Sequence, residues 1–255
     1  MTNTNRILTL DIEGDGLDAS RNQELFPEGN HQDPNTQIWC ATIAYKDDNN
    51  KLITDTYIAK LPNHPRLVKP ILWNEDHTIM LRDEIWTSAF HDVETKVPKK
   101  INIDNKWLNG CKYEQRIHEL DSEWDLISWL VCNLLTYDYM GYNICCKGYG
   151  EYNYDYLAIY NSFNRLKANR EEDEDSILDI EYLGKRMINA AKEFPAINKL
   201  WQETSKQVKC EQRAPNQEYI RWGVKHNMED SIQLLNLLQK PIAEKNKLDS
   251  INEDF

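Results

Sequence analysis

The first clear pattern in the chain is an alternation of apolar and polar residues at 8–13 (LTLDIE), which predicts a half-buried strand. Asp11 and Glu13 share one face of that strand because they are two residues apart. Two more apolar segments, 38–46 (IWCATIAYK) and 52–59 (LITDTYIA), flank the turn-prone sequence DDNN. We therefore expect three strands in an antiparallel meander.

A helical period replaces this alternation in the second half of the chain. The segment 123–135 (EWDLISWLVCNLL) is predicted to be a helix capped by Ser122, with one apolar stripe formed by Trp124, Ile127, Leu130, Val131 and Leu134. We expect Trp124 and Trp129 to lie in the core. The other predicted elements are a strand at 142–146, a helix at 154–166, a strand at 176–180, a helix at 181–194 and a helix at 228–240.

The order of these elements predicts an α/β fold, in which helices flank a mixed sheet made of the antiparallel three-strand meander plus parallel strands. The pattern weakens between residues 60 and 120, which we interpret as a partly helical insertion. We expect a single domain over residues 1–240, followed by a polar C-terminal tail at 241–255.

Composition and charge limit the possible partners. Of the 255 residues, 40% are apolar and 28% are charged, which excludes a fully disordered or collagen-like chain. The net charge of −12 argues against bulk attraction to nucleic acid or to an anionic membrane. The segment 185–225 nevertheless holds nine basic and four acidic residues, a balance of +5, together with several aromatic residues. Such a segment suits contact with a single strand, although an ordinary helical surface with core aromatics has the same composition.

The sequence also favours a cytoplasmic protein with no membrane partner. No apolar run approaches the roughly 20 residues of a membrane helix, and the polar start MTNTNR lacks the apolar core of a signal peptide. None of the six cysteines forms a C-x-x-C pair, so we expect reduced and mostly buried thiols.

Acidic residues are the best candidates for chemistry. Asp11 and Glu13 lie about 7 Å apart along a strand, so that both could reach one cation, although a solvated pair gives the same pattern. Asp155 falls in the first turn of a predicted helix, where the helix dipole alone also favours an acid. His226 and Asp230 are four residues apart and share a helix face.

The order of these three motifs resembles the DEDD superfamily of 3'-5' exonucleases, the DnaQ-like group with an RNase H-like fold. The motifs are ILTLDIEGDGL, GEYNYDYLAIYNSF and VKHNMEDSIQLLNLL. The resemblance covers residues 6–59 and about 122–240 and leaves the insertion aside. A histidine in the third motif is typical of the histidine-type branch.

The resemblance implies a two-metal-ion enzyme that hydrolyses phosphodiester bonds at the 3' end of single-stranded DNA or RNA and releases nucleoside monophosphates. Asp11, Glu13, Asp155 and Asp230 would hold two Mg2+ or Mn2+ ions, and His226 would be the general base. Hard cations of this kind suit oxygen ligands, and two of them about 3.5–4 Å apart can serve both sides of a phosphoryl displacement.

Two departures from the family pattern leave alternatives open. The family usually places its last Asp five residues after the His, whereas Asp230 follows His226 by four, and Glu151 stands where the family tends to have Asn. One alternative is a catalytically degenerate RNase H-like module that binds nucleic acid or protein. The other is an RNase H-like endonuclease that uses the same acids.

Overall fold

The structure, a computed structural model, describes residues 6–14, 38–59, 71–73, 80–82, 97–146, 154–167, 180–193, 221 and 223–239. Its strands are β1 (Ile7–Gly14), β2 (Ile38–Lys46), β3 (Leu52–Ala59), β4 (Ile71–Trp73), β5 (Met80–Arg82), β6 (Tyr113–Leu120) and β7 (Asn143–Cys146). Its helices are α1 (Asn105–Leu108), α2 (Glu123–Tyr139), α3 (Tyr154–Lys167), α4 (Ile180–Glu193) and α5 (223–239). No helix within these ranges has the length and apolar character needed to cross a membrane.

The described residues form a five-stranded mixed sheet in the order β6-β3-β2-β1-β7, and β4 and β5 form a separate antiparallel pair. β1, β2 and β3 are the predicted antiparallel meander. Asp47 closes the turn between β2 and β3, because its Oδ1 accepts hydrogen bonds from the backbone N–H groups of Asn49 and Lys51, both at 2.9 Å. β7 pairs with β1 in parallel. The predicted α/β class with a mixed sheet and flanking helices is therefore confirmed.

β6 is a strand that the sequence pattern did not reveal within the segment 60–120. That segment was interpreted as a partly helical insertion; it contains the short helix α1, and residues 113–120 add a fifth strand parallel to β3. The sequence YEQRIHEL is largely polar, and none of its residues is fully buried. A strand at the edge of a sheet needs only partial burial, so it lacks the apolar alternation by which inner strands are recognised.

The two faces of the sheet are covered by different helices. Apolar residues of β1 such as Leu8 and Leu10 pack in one core cluster with residues of α2, α3 and α4. The opposite face packs against α5, where Ile7 and Ala44 share a cluster with Leu235. Because side chains alternate along a strand, the Asp11 and Glu13 positions of β1 belong to the α5 face.

Helix α2 begins where the sequence predicts. The Ser122 side chain accepts a hydrogen bond from the backbone N–H of Asp125, as an N-cap does. The helix extends to Tyr139, beyond the predicted end at 135. Trp129 is 57% exposed, so the prediction that it lies in the core was wrong. Trp124 is partly buried against the core and stacks on Phe163.

The predicted helix boundaries near α4 and α5 also change. The helix predicted at 228–240 begins earlier, since α5 already includes residue 223, and this places His226 on the helix. The prediction of a strand at 176–180 lies outside the described residues except for Ile180, which is the first residue of α4. The tail at 241–255 also lies outside them.

Candidate active site

The first candidate motif lies on β1, on the face that α5 covers. Asp11 is 2% exposed, and its cross-strand partner on β2 is Thr42. Glu13 is opposite Cys40 and is less buried than Asp11. The ladder is irregular between Glu13 and Gly14, immediately after the two acids. Both carboxylates therefore point toward α5 near the C-terminal end of β1.

Three hydrogen bonds fix helix α5 on this face. The Asn227 Nδ2 donates to Asp11 Oδ2 at 2.9 Å. One turn further along, the Ser231 Oγ donates to the Thr42 carbonyl at 3.1 Å, and the Ser231 carbonyl accepts from the Thr9 Oγ1 at 2.7 Å. Asn227 and Ser231 are both 0% exposed. Buried hydrogen bonds of this kind favour one register of the helix on the sheet, because any shift would leave buried polar groups without hydrogen-bond partners.

The third motif lies on the same helix and forms a side-chain pair. The His226 Nε2 is 3.4 Å from the Asp230 Oδ2. The side chain of His226 is 32% exposed, while that of Asp230 is 5% exposed. The spacing of four residues thus brings the two side chains together on one face, as the sequence predicts. Since Asn227 follows His226 directly, its bond to Asp11 joins this motif to β1.

The second motif lies at the start of α3. Asp155 is in the first turn of that helix and is 3% exposed. α3 follows β7, whose last residue, Cys146, pairs with Leu10 next to Asp11, and α3 also contacts β1. Glu151, which differs from the family pattern, lies outside the described residues.

The environment of Cys40 shows how acidic this part of the structure is. Burial raises the pKa of the Cys40 thiol well above its usual range, and the negative charges of Glu13 and Asp11 raise it further. The thiol therefore stays protonated and donates to the Asn227 Oδ1 at an S···O distance of 3.8 Å. Cys145 and Cys146 are buried in strand β7, as predicted, and Cys132 is exposed.

The structure brings together only part of the predicted ligand set. Asp11 is joined to α5 through Asn227, and His226 is joined to Asp230. Within the ranges that the structure describes, no three His, Cys, Asp or Glu side chains form a group that could hold a metal ion. The carboxylate oxygens of the predicted ligands suit Mg2+ or Mn2+ in their chemistry. The two-ion site therefore stays a prediction.

Comparison with known proteins found no matching family model, curated protein or solved structure.

Asn227 is the residue of this site that the sequence did not reveal. The predicted third motif included its position but gave a role only to His226 and Asp230. Ser231 belongs to the same motif, but its bonds hold α5 on the sheet and do not reach an acid. Most of the basic segment 185–225, including residues 194–220, lies outside the described residues, so its contact with a single strand stays a prediction.

Gly223 sets how closely the first turn of α5 approaches the sheet. A Cβ built at Gly223 would be 2.7 Å from the Cη2 atom of Trp39, whose side chain is 2% exposed. We expect Gly223→Val to lower the free energy of unfolding by about 1–3 kcal/mol, because the indole ring has no space to move. Urea unfolding followed by circular dichroism measures this loss.

The same substitution in a Trp39→Leu background provides the matched control. Leucine removes the ring atoms that the new side chain would meet, so Gly223→Val is expected to cost less there than in the wild-type chain. An equal cost in both backgrounds would show that the contact with Trp39 does not limit the size of residue 223.

Proposed function

We propose that this chain is a metal-dependent 3'-5' exonuclease with an RNase H-like fold, which removes nucleoside monophosphates from the 3' end of single-stranded DNA or RNA. The observation that carries the proposal is the burial of three acids from distant parts of the sequence. Asp11, Asp155 and Asp230 are 2%, 3% and 3% exposed. Burying a carboxylate without compensation is costly, and bound cations are one form of compensation.

The order of the sheet gives a second line of support. A meander of three antiparallel strands, with β7 added in parallel beside β1, is compatible with an RNase H-like fold. In this arrangement the first acid pair lies on the strand between β2 and β7. β6 is an addition at the far edge, three strands away from β1.

In the proposed mechanism, the carboxylates of Asp11, Glu13, Asp155 and Asp230 would hold the cations. When bound, two such ions supply an activated water and stabilise the charge on the leaving oxygen. His226 takes the proton of the attacking water, for which its 32% exposure gives access to solvent. The Asp230 carboxylate, 3.4 Å from the His226 Nε2, stabilises the imidazolium that results.

A labelled-strand assay with the full chain tests this function. A single strand labelled at its 5' end is expected to shorten stepwise from its 3' end with Mg2+ or Mn2+, and to stay intact with EDTA. A circular single strand is the control, because it has no 3' end and should not be cut. Cleavage of the circle would indicate the endonuclease, and an intact linear strand at every metal concentration would contradict both enzyme functions.

The second candidate is a degenerate module of the same fold that binds nucleic acid or a protein and does not hydrolyse. Two observations favour it: the described residues contain no preassembled group of three metal ligands, and His226 and Asp230 are one residue closer than in the family pattern. Strand binding that EDTA does not change, without any turnover, would support this candidate.

A further inference from the structure

Asn227 of helix α5 donates a hydrogen bond to Asp11, an acid of β1. Its carboxamide is completely buried between the helix and the sheet. The Nδ2 donates to Asp11 Oδ2 at 2.9 Å, and the Oδ1 accepts from the Cys40 Sγ at 3.8 Å. The carboxamide orientation follows from these partners, because a carboxylate can only accept a hydrogen bond from it.

We propose that Asn227 is a positioning residue, which sets the orientation of the Asp11 carboxylate and links it to the turn that carries His226 and Asp230. This inference rests on the proposed function, in which Asp11 binds cations. Ligating carboxylates are commonly oriented by a hydrogen bond from a neighbouring side chain, and loss of that neighbour typically lowers metal affinity or activity about 10–100-fold. Asn227 would therefore affect binding of the ion without touching it.

The position of Asn227 explains why it can have this role. It follows His226 directly and lies one helical turn before Ser231, whose bonds to β1 and β2 fix the register of α5. A rotation or shift of α5 would therefore move the Asn227 donor and the His226–Asp230 pair together. The side-chain amide of Asn227 therefore links the orientation of the Asp11 carboxylate to the position of His226 and Asp230.

Ser231 offers a matched control for Asn227. Both side chains are 0% exposed, lie on the same helix and donate one hydrogen bond to the sheet, but Ser231 donates to a backbone carbonyl and Asn227 to a carboxylate. Ser231→Ala therefore removes a buried hydrogen bond of α5 but leaves the bond from Asn227 to Asp11 in place. Asn227→Leu removes the donor with little change in volume, and Asn227→Ala is a second variant in case the leucine disturbs the fold.

The test compares the wild-type chain with these variants in two measurements. Titration calorimetry with Mn2+ alone gives the dissociation constant, and hydrolysis of a single strand gives kcat and KM separately. All samples are measured below the lowest melting temperature of the set. We expect the Asn227 variants to bind Mn2+ about 10–100-fold more weakly and to lose kcat with little change in KM. Ser231→Ala keeps the bond from Thr9 to the residue 231 carbonyl, so its values should stay much closer to those of the wild-type chain.

The possible outcomes separate the two proposals. If the wild-type chain binds Mn2+ and hydrolyses the strand, but the folded Asn227 variants match Ser231→Ala in both measurements, the positioning role is wrong and the proposed function stands. If the wild-type chain neither binds Mn2+ nor hydrolyses the strand, the proposed function fails, and the role of Asn227 fails with it.

Discussion

Replacing Asp11 with asparagine is expected to reduce hydrolysis of a single strand at least about 1,000-fold while leaving the fold intact. Cation stabilisation of a phosphoryl-transfer transition state is worth several kcal/mol, and each 1.36 kcal/mol corresponds to a tenfold change in rate. Asparagine has nearly the same size and keeps an oxygen that can accept the hydrogen bond from Asn227. It also removes one negative charge beside Glu13, so the melting temperature should stay the same or rise.

The same substitution at an exposed acid is the control for this loss. Asp48 lies in the turn after β2, and its side chain is 80% exposed in a pair with Arg6. Asp48→Asn is expected to keep wild-type kcat, because an exposed pair contributes little. Full activity of the Asp11→Asn variant would contradict the assignment of Asp11.

Replacing Glu123 with glutamine is expected to lower the free energy of unfolding by about 3–5 kcal/mol, because it removes the negative charge from a largely buried ion pair with Arg165. The Glu123 Oε1 accepts from the Arg165 Nη2 at 2.7 Å and from the Ile38 backbone N–H at 2.9 Å. This one carboxylate therefore connects α2, α3 and the start of β2. Glutamine keeps an acceptor for Ile38, so the change isolates the ion pair. Urea unfolding measures the loss.

Two further variants show whether burial of the pair causes this loss. Adding Arg165→Met to Glu123→Gln is expected to recover part of the stability, because the buried positive charge that Glu123 balanced is removed as well. Glu114→Gln breaks two ion pairs on the partly exposed edge strand β6, with Lys51 and Arg116, and should still change stability far less. Equal losses from Glu123→Gln and Glu114→Gln would contradict a special role of the buried pair.

The elements that the sequence predicted correctly are those whose signals are local. In β1 the alternation of apolar and polar residues predicts which face is buried, and in α2 the apolar stripe that includes Ile127 and Leu130 does the same. Both predicted faces lie in the core. β6 has no such local pattern, because its position in the sheet is determined by pairing with β3, more than 50 residues earlier in the chain. Trp129 lies off the α2 stripe, and its aromatic character alone did not indicate burial.

The candidate site also could be predicted only as far as local sequence patterns allow. The sequence indicated Asp11, Asp155 and Asp230 as acids on the right kinds of element, and all three are buried. Their distances from one another depend on how α3 and α5 pack on the sheet, and a local sequence pattern does not predict that packing. Asn227 was missed for this reason, since its partner Asp11 is 216 residues away along the chain.

A crystal structure grown with Mn2+ and a nucleoside monophosphate tests the central proposal most directly. Anomalous scattering would locate the metal ions independently of the protein atoms. The proposal predicts Mn2+ about 2.0–2.2 Å from carboxylate oxygens of Asp11 and Asp230, with Asp155 and Glu13 beside them and the phosphate between the acids and His226. Mn2+ absent from these carboxylates, with the acids remaining apart around the bound nucleotide, would contradict it.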